Sequence, residues 1–145
     1  MERKDFIEKV GMSGAAILVM GCFGACSKSS GTGTTAPTNP NKPVDFTINI
    51  SNAPYNVLQN NGGFYVDTAN SVIIAKTSSG MLIAVSSLCT HQAVTLEYQN
   101  NNNRFYCSGH GSNFNTSGTV LNGPATTALK VYKLTLTGSL LRIYE

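Results

Sequence analysis

The sequence predicts an all-β domain, built as a small antiparallel sandwich or barrel. Short apolar runs recur at regular spacing from residue 44 to the carboxyl terminus, separated by clusters of Gly, Asn, Ser and Thr. Such runs, bounded by turn residues, are typical of sandwiches and barrels. No stretch beyond residue 40 places its apolar residues at helical spacing. The fold class therefore follows from strand spacing, turn chemistry and the lack of a helical pattern.

The first part of the domain contains three predicted strand segments. Residues 44–50 alternate apolar and polar side chains, which is the period of a half-buried strand. Residues 57–58 and 63–67 are the next two segments, and an Asn-Asn-Gly turn at 60–62 separates them.

Three β-hairpins are predicted after these segments, because pairs of apolar runs flank short polar turns. The first turn is Thr-Ser-Ser-Gly, the second is rich in Asn, and the third is Gly-Ser. The hairpins pair residues 71–76 with 81–86, 94–98 with 104–106, and 129–137 with 140–144.

The 145 residues, 41% of them hydrophobic, support one domain, which we place at 44–145. Residues 1–25 are predicted to be a signal peptide, because a start with Arg3, Lys4 and Lys9 precedes an apolar run at 11–25. That run is shorter than the roughly 20 apolar residues of a membrane span. An uncleaved anchor helix is the alternative interpretation.

Two cysteines close the apolar run, and small residues precede both of them. Each resembles a bacterial lipoprotein processing site, which implies a lipid on Cys26 or, as the rival, Cys22. Residues 26–43 are rich in Gly, Thr, Pro, Asn and Ser, so they are predicted to be a flexible lipidated tether. The expected location is the periplasmic side of a bacterial membrane, held there by the lipid.

The amino-terminal sequence is compatible with two export routes. Arg3-Lys4-Asp5-Phe6-Ile7 resembles the start of a twin-arginine signal, which exports folded proteins, but lysine replaces the second arginine. An ordinary secretory signal is the alternative.

The charge pattern excludes one class of partner. The chain carries 10 Lys and Arg against 7 Asp and Glu, a formal net charge of +3. These charges are scattered along the sequence, and no basic stripe alternates with aromatic residues, so a nucleic-acid partner is not expected.

Every histidine, and every cysteine beyond residue 26, lies in one of two short clusters. Cys89-Thr90-His91 is the first, and Cys107-Ser108-Gly109-His110 is the second. Thiolate and imidazole together suit iron–sulfur chemistry or zinc. Structural zinc sites usually group their ligands by type, whereas each cluster here supplies one of each. A Cys89–Cys107 disulfide is a third interpretation, but it leaves both histidines without a role.

The order Cys-x-His and then Cys-x-x-His resembles the ligand motif of the Rieske iron–sulfur family. The resemblance implies one 2Fe–2S cluster, with Cys89 and Cys107 on one iron and His91 and His110 on the other. Ser112 matches the family serine that hydrogen-bonds a bridging sulfide. The resemblance runs from residue 81 onward and implies a Rieske-like antiparallel β base that carries a two-loop cluster-binding subdomain. The Gly-Pro-Ala sequence at 123–125 resembles the start of the proline loop that covers the cluster.

The function implied by this resemblance is electron transfer without a catalytic residue. The protein would be a membrane-tethered one-electron carrier, or a redox subunit of a respiratory or quinol-linked complex, with a cytochrome or membrane oxidoreductase as partner. A Rieske ferredoxin of an oxygenase system and a zinc-binding structural lipoprotein are the alternatives. An oxygenase itself would need a mononuclear iron site with two further histidines, and the chain contains only 2 in total.

Several positions depart from the quinol-oxidising members of the family. The cysteine pair that links the two loops there corresponds to Val94 and Gly109, and the glycine before the first of those cysteines corresponds to Ala93. The tyrosine that donates to a cysteine sulfur corresponds to Phe114, and the quinol-facing leucine to Gln92. We therefore expect a reduction potential in the lower or middle part of the family range of about −150 to +300 mV.

Overall fold

The computed structural model describes residues 43–145. This part of the chain contains ten strands and two short 3-10 helices, and it contains no α-helix. The strands are β1 (Asp45–Asn49), β2 (Phe64–Asp67), β3 (Val72–Lys76), β4 (Leu82–Ser86), β5 (Glu97–Gln99), β6 (Arg104–Tyr106), β7 (Asn113–Asn115), β8 (Val120–Asn122), β9 (Lys133–Thr137) and β10 (Leu140–Tyr144). No helix within residues 43–145 is long and apolar enough to cross a bilayer.

The strands form three antiparallel sheets, in the orders β1-β10-β9, β2-β3-β4 and β5-β6-β7-β8. The sheet β2-β3-β4 is covered on both faces. Ile74 and Ala84 pack into one apolar core, and Ile73 and Val85 pack into a second core on the opposite face. A strand buried on both faces has no polar side to present to solvent, so its sequence reads as a continuous apolar run. This explains why β3 is almost entirely apolar.

The sheet β1-β10-β9 covers one face of the central sheet. Ile48, Leu141 and Ile143 point into their shared core, which also contains Leu58 and Tyr132. The chain just before β9 pairs with β4, because Ser86 N–H donates to the Lys130 carbonyl and Tyr132 N–H donates to the Ala84 carbonyl. These bonds join the two sheets into one base.

The four-stranded sheet β5-β6-β7-β8 covers the other face and carries the two Cys/His clusters. Its strands have only three residues each. Tyr98, Phe105 and Phe114 are buried beneath it, against Ile73 and Val85 of the central sheet. The rings of Tyr98 and Phe105 lie 5.5 Å apart between centroids. Large aromatic side chains anchor this sheet in place of strand length.

The predicted all-β class, the first strand and the three hairpins are confirmed. The strand predicted at 57–58 is wrong, because Tyr55–Gln59 forms a 3-10 helix. Residues 130–132 pair with β4, through the hydrogen bonds with Ala84 and Ser86, and Leu129 N–H donates to the Gly118 carbonyl, so β9 begins at Lys133, later than predicted. Strands β7 and β8 were not predicted, since each has only three residues and both contain Asn, which has low β propensity.

Candidate metal centre

The first Cys/His cluster lies in a tight loop between β4 and β5. Leu88 forms a bridge with Thr95, and Cys89 N–H donates to the Val94 carbonyl at 2.8 Å. These contacts close the loop at its base, so His91 stands at its tip and is exposed. Ser87 and Leu88 continue the strand pairing between the end of β4 at Ser86 and Cys89, so the cluster directly follows paired strand residues.

The second cluster forms the turn between β6 and β7. Cys107 directly follows β6, and its N–H donates to the Ser112 carbonyl at 2.9 Å. Gly111 N–H donates back to the Cys107 carbonyl at 2.8 Å. Gly111 has a φ of +75°, which side chains disfavour, so glycine permits the tight return.

The four candidate donors come together as two like pairs. The Cys89 and Cys107 side chains are buried, with 4% and 0% exposure, and their thiols interact with each other. The His91 and His110 rings lie edge to face with centroids 4.7 Å apart. Cys107 Sγ lies 4.0 Å from His110 Nδ1, which links the two pairs. Both cysteines are free.

The thiols have unequal electrostatic surroundings. Burial, and then the neighbouring Cys89, raise the pKa of the Cys107 thiol above its ordinary value. Burial also opposes ionisation of Cys89, but the His91 N–H, the Cys107 thiol, the Gln92 N–H and the Ser112 hydroxyl stabilise its thiolate, so its pKa is lowered. Two adjacent thiolates in a buried site require a compensating positive charge, which a metal ion bound by Cys89 and Cys107 would supply.

The loops at residues 87–96 and 107–112, which carry the four candidate ligands, are called the donor loops. A third loop, residues 123–128, contacts both of them. Thr90 Oγ1 donates to the Thr127 carbonyl at 2.6 Å, and Ala125 N–H donates to Ser112 Oγ at 3.1 Å. The sequence predicted Ser112 at the site and a covering loop that begins with the Gly-Pro-Ala segment, but no role was predicted for Thr90. Its position between Cys89 and His91 was the available signal.

Val94 and Gly109 lie against each other across the two donor loops. A Cβ atom built on Gly109 would lie 3.1 Å and 3.3 Å from the two Val94 methyl carbons and 3.6 Å from Val94 Cβ. The loops therefore meet here through an apolar contact. The missing side chain of Gly109 is what leaves room for Val94.

The donor set fits a mixed-ligand diiron cluster. Within residues 43–145 no three His, Cys, Asp or Glu side chains lie close enough to hold a single metal ion. The buried thiol pair and the outer imidazole pair together match the donors of an iron–sulfur protein in which cysteine serves one iron and histidine the other. The fold and the types of donor together are those of the iron–sulfur electron-transfer proteins.

The family model of the Rieske [2Fe-2S] domain matches residues 53–133. The chain belongs to the Rieske family, its cofactor is a 2Fe–2S cluster, and its function is Rieske-type electron transfer. The family resemblance predicted from the two Cys/His clusters is confirmed.

Two relatives are cytochrome b6-f complex iron–sulfur subunits. The chain is 32% identical over 66 residues to the subunit of Chlorobaculum thiosulfatiphilum, a stretch that covers 46% of this chain and 36% of that protein. It is 25% identical over 134 residues to the subunit of Chlorobaculum tepidum, covering 92% of this chain and 70% of that protein. The matched stretch thus spans only about a third of the first subunit's length.

Solved structures match the fold. The cyanobacterial plasma membrane Rieske protein PetC3 from Synechocystis PCC 6803 superposes with a TM-score of 0.50 at 28% identity, covering 57% of this chain and 84% of that one. The ferredoxin of carbazole 1,9a-dioxygenase from Nocardioides aromaticivorans superposes with a TM-score of 0.55 at 15% identity, covering 70% and 96%. The second match concerns the fold alone.

Proposed function

We propose that this protein is a one-electron carrier, or a redox subunit of a membrane complex, whose cluster is held by four residues. Cys89 and Cys107 hold the inner iron, and His91 and His110 hold the outer iron. The observation that carries this assignment is the division of the donors into a buried thiol pair and an imidazole pair with rings 4.7 Å apart.

Histidine ligation sets the charge of the centre. The cluster supplies a site that accepts and releases one electron, and with two thiolates and two neutral imidazoles its oxidised form has no net charge. Four thiolates would leave it doubly negative, and an electron would then be harder to add. Rieske centres accordingly have higher potentials than ferredoxins with four cysteine ligands.

The histidine end of the domain is the proposed contact with the redox partner. Residues 87–96 and 105–129 contain no Asp, Glu, Lys or Arg. Leu121 is 57% exposed in this region, and Gln92 and Ala93 beside His91 are exposed as well. An uncharged, partly apolar surface favours a partner with a similar face, because it neither steers nor repels charged groups.

The partner class follows from the relatives. Several are named as cytochrome b6-f complex subunits, and one solved relative as a plasma membrane Rieske protein. We infer a membrane-associated partner such as a cytochrome or oxidoreductase.

Export and lipid attachment complete the proposal. The signal peptide predicted at 1–25 lies outside the described residues, and so does the tether predicted at 26–43, apart from its last residue. We infer export to the periplasmic side of the membrane, and attachment through a lipid on Cys26 or Cys22. Cys26→Ser and Cys22→Ser, compared in membrane fractions, separate the two: the lipidated residue is the one whose loss releases the protein from the membrane. Retention of both single variants and of the double variant would contradict a lipid anchor.

Spectroscopy of the full-length protein tests the cluster. The purified protein should be reddish brown, and dithionite reduction should give an electron paramagnetic resonance signal whose average g value lies below that of a four-cysteine cluster. The potential should lie below about +250 mV, inside the family range. Colourless protein made with ample iron would refute the assignment.

Salt dependence tests the uncharged contact surface. Electron exchange with anionic and with cationic small-molecule redox reagents should depend only weakly on ionic strength, since no charged side chain lies in the sequence around the histidines. Ala93→Lys should introduce a salt dependence of opposite sign for the two reagents. Steep and opposite dependences in the unmodified protein would contradict this surface.

A further inference from the structure

The Ser112 hydroxyl has a backbone donor on one side. Ser112 is fully buried, with 0% exposure, at the end of the second donor loop. Ala125 N–H donates to its Oγ at 3.1 Å. A hydroxyl that accepts a hydrogen bond in this way still has its own proton to donate elsewhere. The Ser112 side chain also interacts with the Cys89 sulfur, so an acceptor for that proton lies on the cluster side.

The close approach of the third loop depends on Gly123. A Cβ atom built on Gly123 would lie 2.4 Å from Ser112 Cα, 2.5 Å from Ser112 Oγ and 2.7 Å from Ser112 Cβ. These separations are far below van der Waals contact. Gly123 also has a φ of +135°, a conformation that glycine adopts readily and other residues rarely do. Backbone conformation and space both require glycine where the loop passes Ser112.

We propose that Gly123 and Ala125 are positioning residues that fix the direction of the Ser112 hydroxyl, so that its proton points at a cluster sulfur. The Ala125 amide occupies one acceptor position of Ser112 Oγ, and Gly123 lets the loop come near enough to do so. This inference rests on the proposed cluster ligation and deepens it, because two residues outside the ligand set then control a hydrogen bond to the cluster.

The consequence concerns the reduction potential. A hydrogen bond to a cluster sulfur stabilises the reduced, more negative form, so it raises the potential. If the third loop orients the donor, a change in the loop lowers the potential only while the Ser112 hydroxyl is present. A loop that acted merely as a cover would lower it with or without that hydroxyl.

Hydrogen exchange tests the hydrogen bond itself. In the full-length holoprotein, Ser112→Ala should make the Ala125 amide exchange about fivefold faster or more, as expected for the loss of one hydrogen bond. Mass spectrometry with single-residue fragmentation provides the measurement. The Tyr132 amide, which donates to the Ala84 carbonyl, is the internal control and should not change. Unaltered exchange at Ala125 would overturn the proposal.

A double-mutant cycle on the potential tests the positioning role. Gly123→Ala should lower the potential of the otherwise unmodified protein, and should shift it little or not at all in a Ser112→Ala background. Gly123→Ala should lower thermal stability in both backgrounds, because the added carbon meets Ser112 Cα and Cβ even without the hydroxyl. Equal shifts of potential in both backgrounds would show a structural role only and overturn the inference.

The two proposals fail in different ways. An unmodified protein without a cluster signal refutes the ligand assignment. A protein with a normal cluster but additive shifts of potential refutes only the role of Gly123 and Ala125. Where Gly123→Ala assembles no cluster, exchange at Ala125 in the Ser112→Ala protein decides the outcome.

Discussion

The base and the cluster end of this domain are held together by different means. In the base, five-residue strands such as β3, β4 and β10 pair in long registers around Leu58, Leu141 and Ile143. At the cluster end the strands have three residues, and the loops are positioned by glycine, backbone turns and single side-chain contacts. The base derives its stability from buried apolar area, and the cluster end derives its geometry from local hydrogen bonds.

The two regions therefore have different roles: the base determines whether the domain folds, and the cluster end determines whether it holds the cluster. Loss of buried apolar groups in the base should unfold the whole domain, because its core is cooperative. Loss of a donor at the cluster end should remove the cluster and leave the base intact. Variants in the two regions test that separation.

Cys107→Ala should abolish the cluster entirely. The variant removes one thiolate from the inner iron, and no other cysteine lies in the described chain apart from Cys89. Iron content and visible absorption should fall to background, while far-ultraviolet circular dichroism keeps its β signature. Ser108→Ala, an exposed neighbour in the same loop, is the control and should retain the cluster. A normal cluster in Cys107→Ala would break the ligand assignment.

Leu141→Ala should destabilise the base by about 2–5 kcal/mol, the usual cost of such a truncation in a core. Leu141 is fully buried in the core that β10 shares with the central sheet. Denaturant unfolding measures the change in the free energy of unfolding. Leu140→Ala, on the exposed side of the same strand, is the matched control and should change little. Equal losses in the two variants would contradict the assignment of this core.

Val94→Cys with Gly109→Cys should close a disulfide between the donor loops. The Cβ separation of 3.6 Å lies within the range that disulfides require. A closed loop of about 15 residues stabilises the folded state by up to about 3 kcal/mol. Thiol titration and unfolding with and without reductant measure both effects. The single variant Val94→Cys is the control. Two free thiols in the double variant under oxidising conditions would show that the loops do not meet as described.

Phe114→Tyr should raise the reduction potential by a modest amount. Phe114 is fully buried in the core below the donor loops and has no hydroxyl to donate to a cysteine sulfur. The added hydroxyl supplies a donor of the kind the resemblance predicts there. Redox titration against Phe105→Tyr, the buried ring opposite Phe114 in the register of β6 and β7, distinguishes a specific donor from a general increase in polarity. Equal shifts would contradict the specific role.

Glu145→Gln should have the smallest effect, and only above acidic pH. Glu145 accepts from Lys130 Nζ at 2.7 Å and from Val44 N–H at 3.0 Å, and the bond from Lys130 is the main cause of its lowered pKa. A carboxyl whose pKa is lower when folded stabilises the protein above its unfolded pKa and loses that contribution as pH falls through the folded value. The melting temperatures of the two proteins should therefore differ slightly near neutral pH and converge in acid. A difference that grew in acid would contradict this.

The sequence predicted the base and the donors for different reasons. Alternating apolar residues and Gly-containing turns gave the hairpins of β3–β4 and β9–β10, because burial on a sheet has a period of two. The candidate donors were singled out because Cys and His are rare residues with specific chemistry. Strands β7 and β8 were not predicted. Asn113 and Asn122 have low β propensity, and they lie in strands because of their pairing in the folded domain and not because of the local sequence.

The contacts of Ser112 with Ala125 and Gly123 could not be predicted for a related reason. They join residues 11 to 13 positions apart through a backbone amide and a missing side chain, and neither has a signature in the sequence. The 3-10 helix at Tyr55–Gln59 was misread because its two central apolar residues fit a short strand equally well. Local patterns identify which faces are buried, but they do not identify which loops touch.

Because β3 is buried on both faces, its apolar residues are accessible to other chains only before the domain has folded. Val72 to Ala75 are all fully enclosed in the native domain, and an unfolded polypeptide would present this uncharged, β-branched stretch to its neighbours. Segments of that composition readily stack into intermolecular sheets. Aggregation through this stretch is avoided if the domain folds before transport, or if a chaperone binds the stretch until its neighbouring strands have formed.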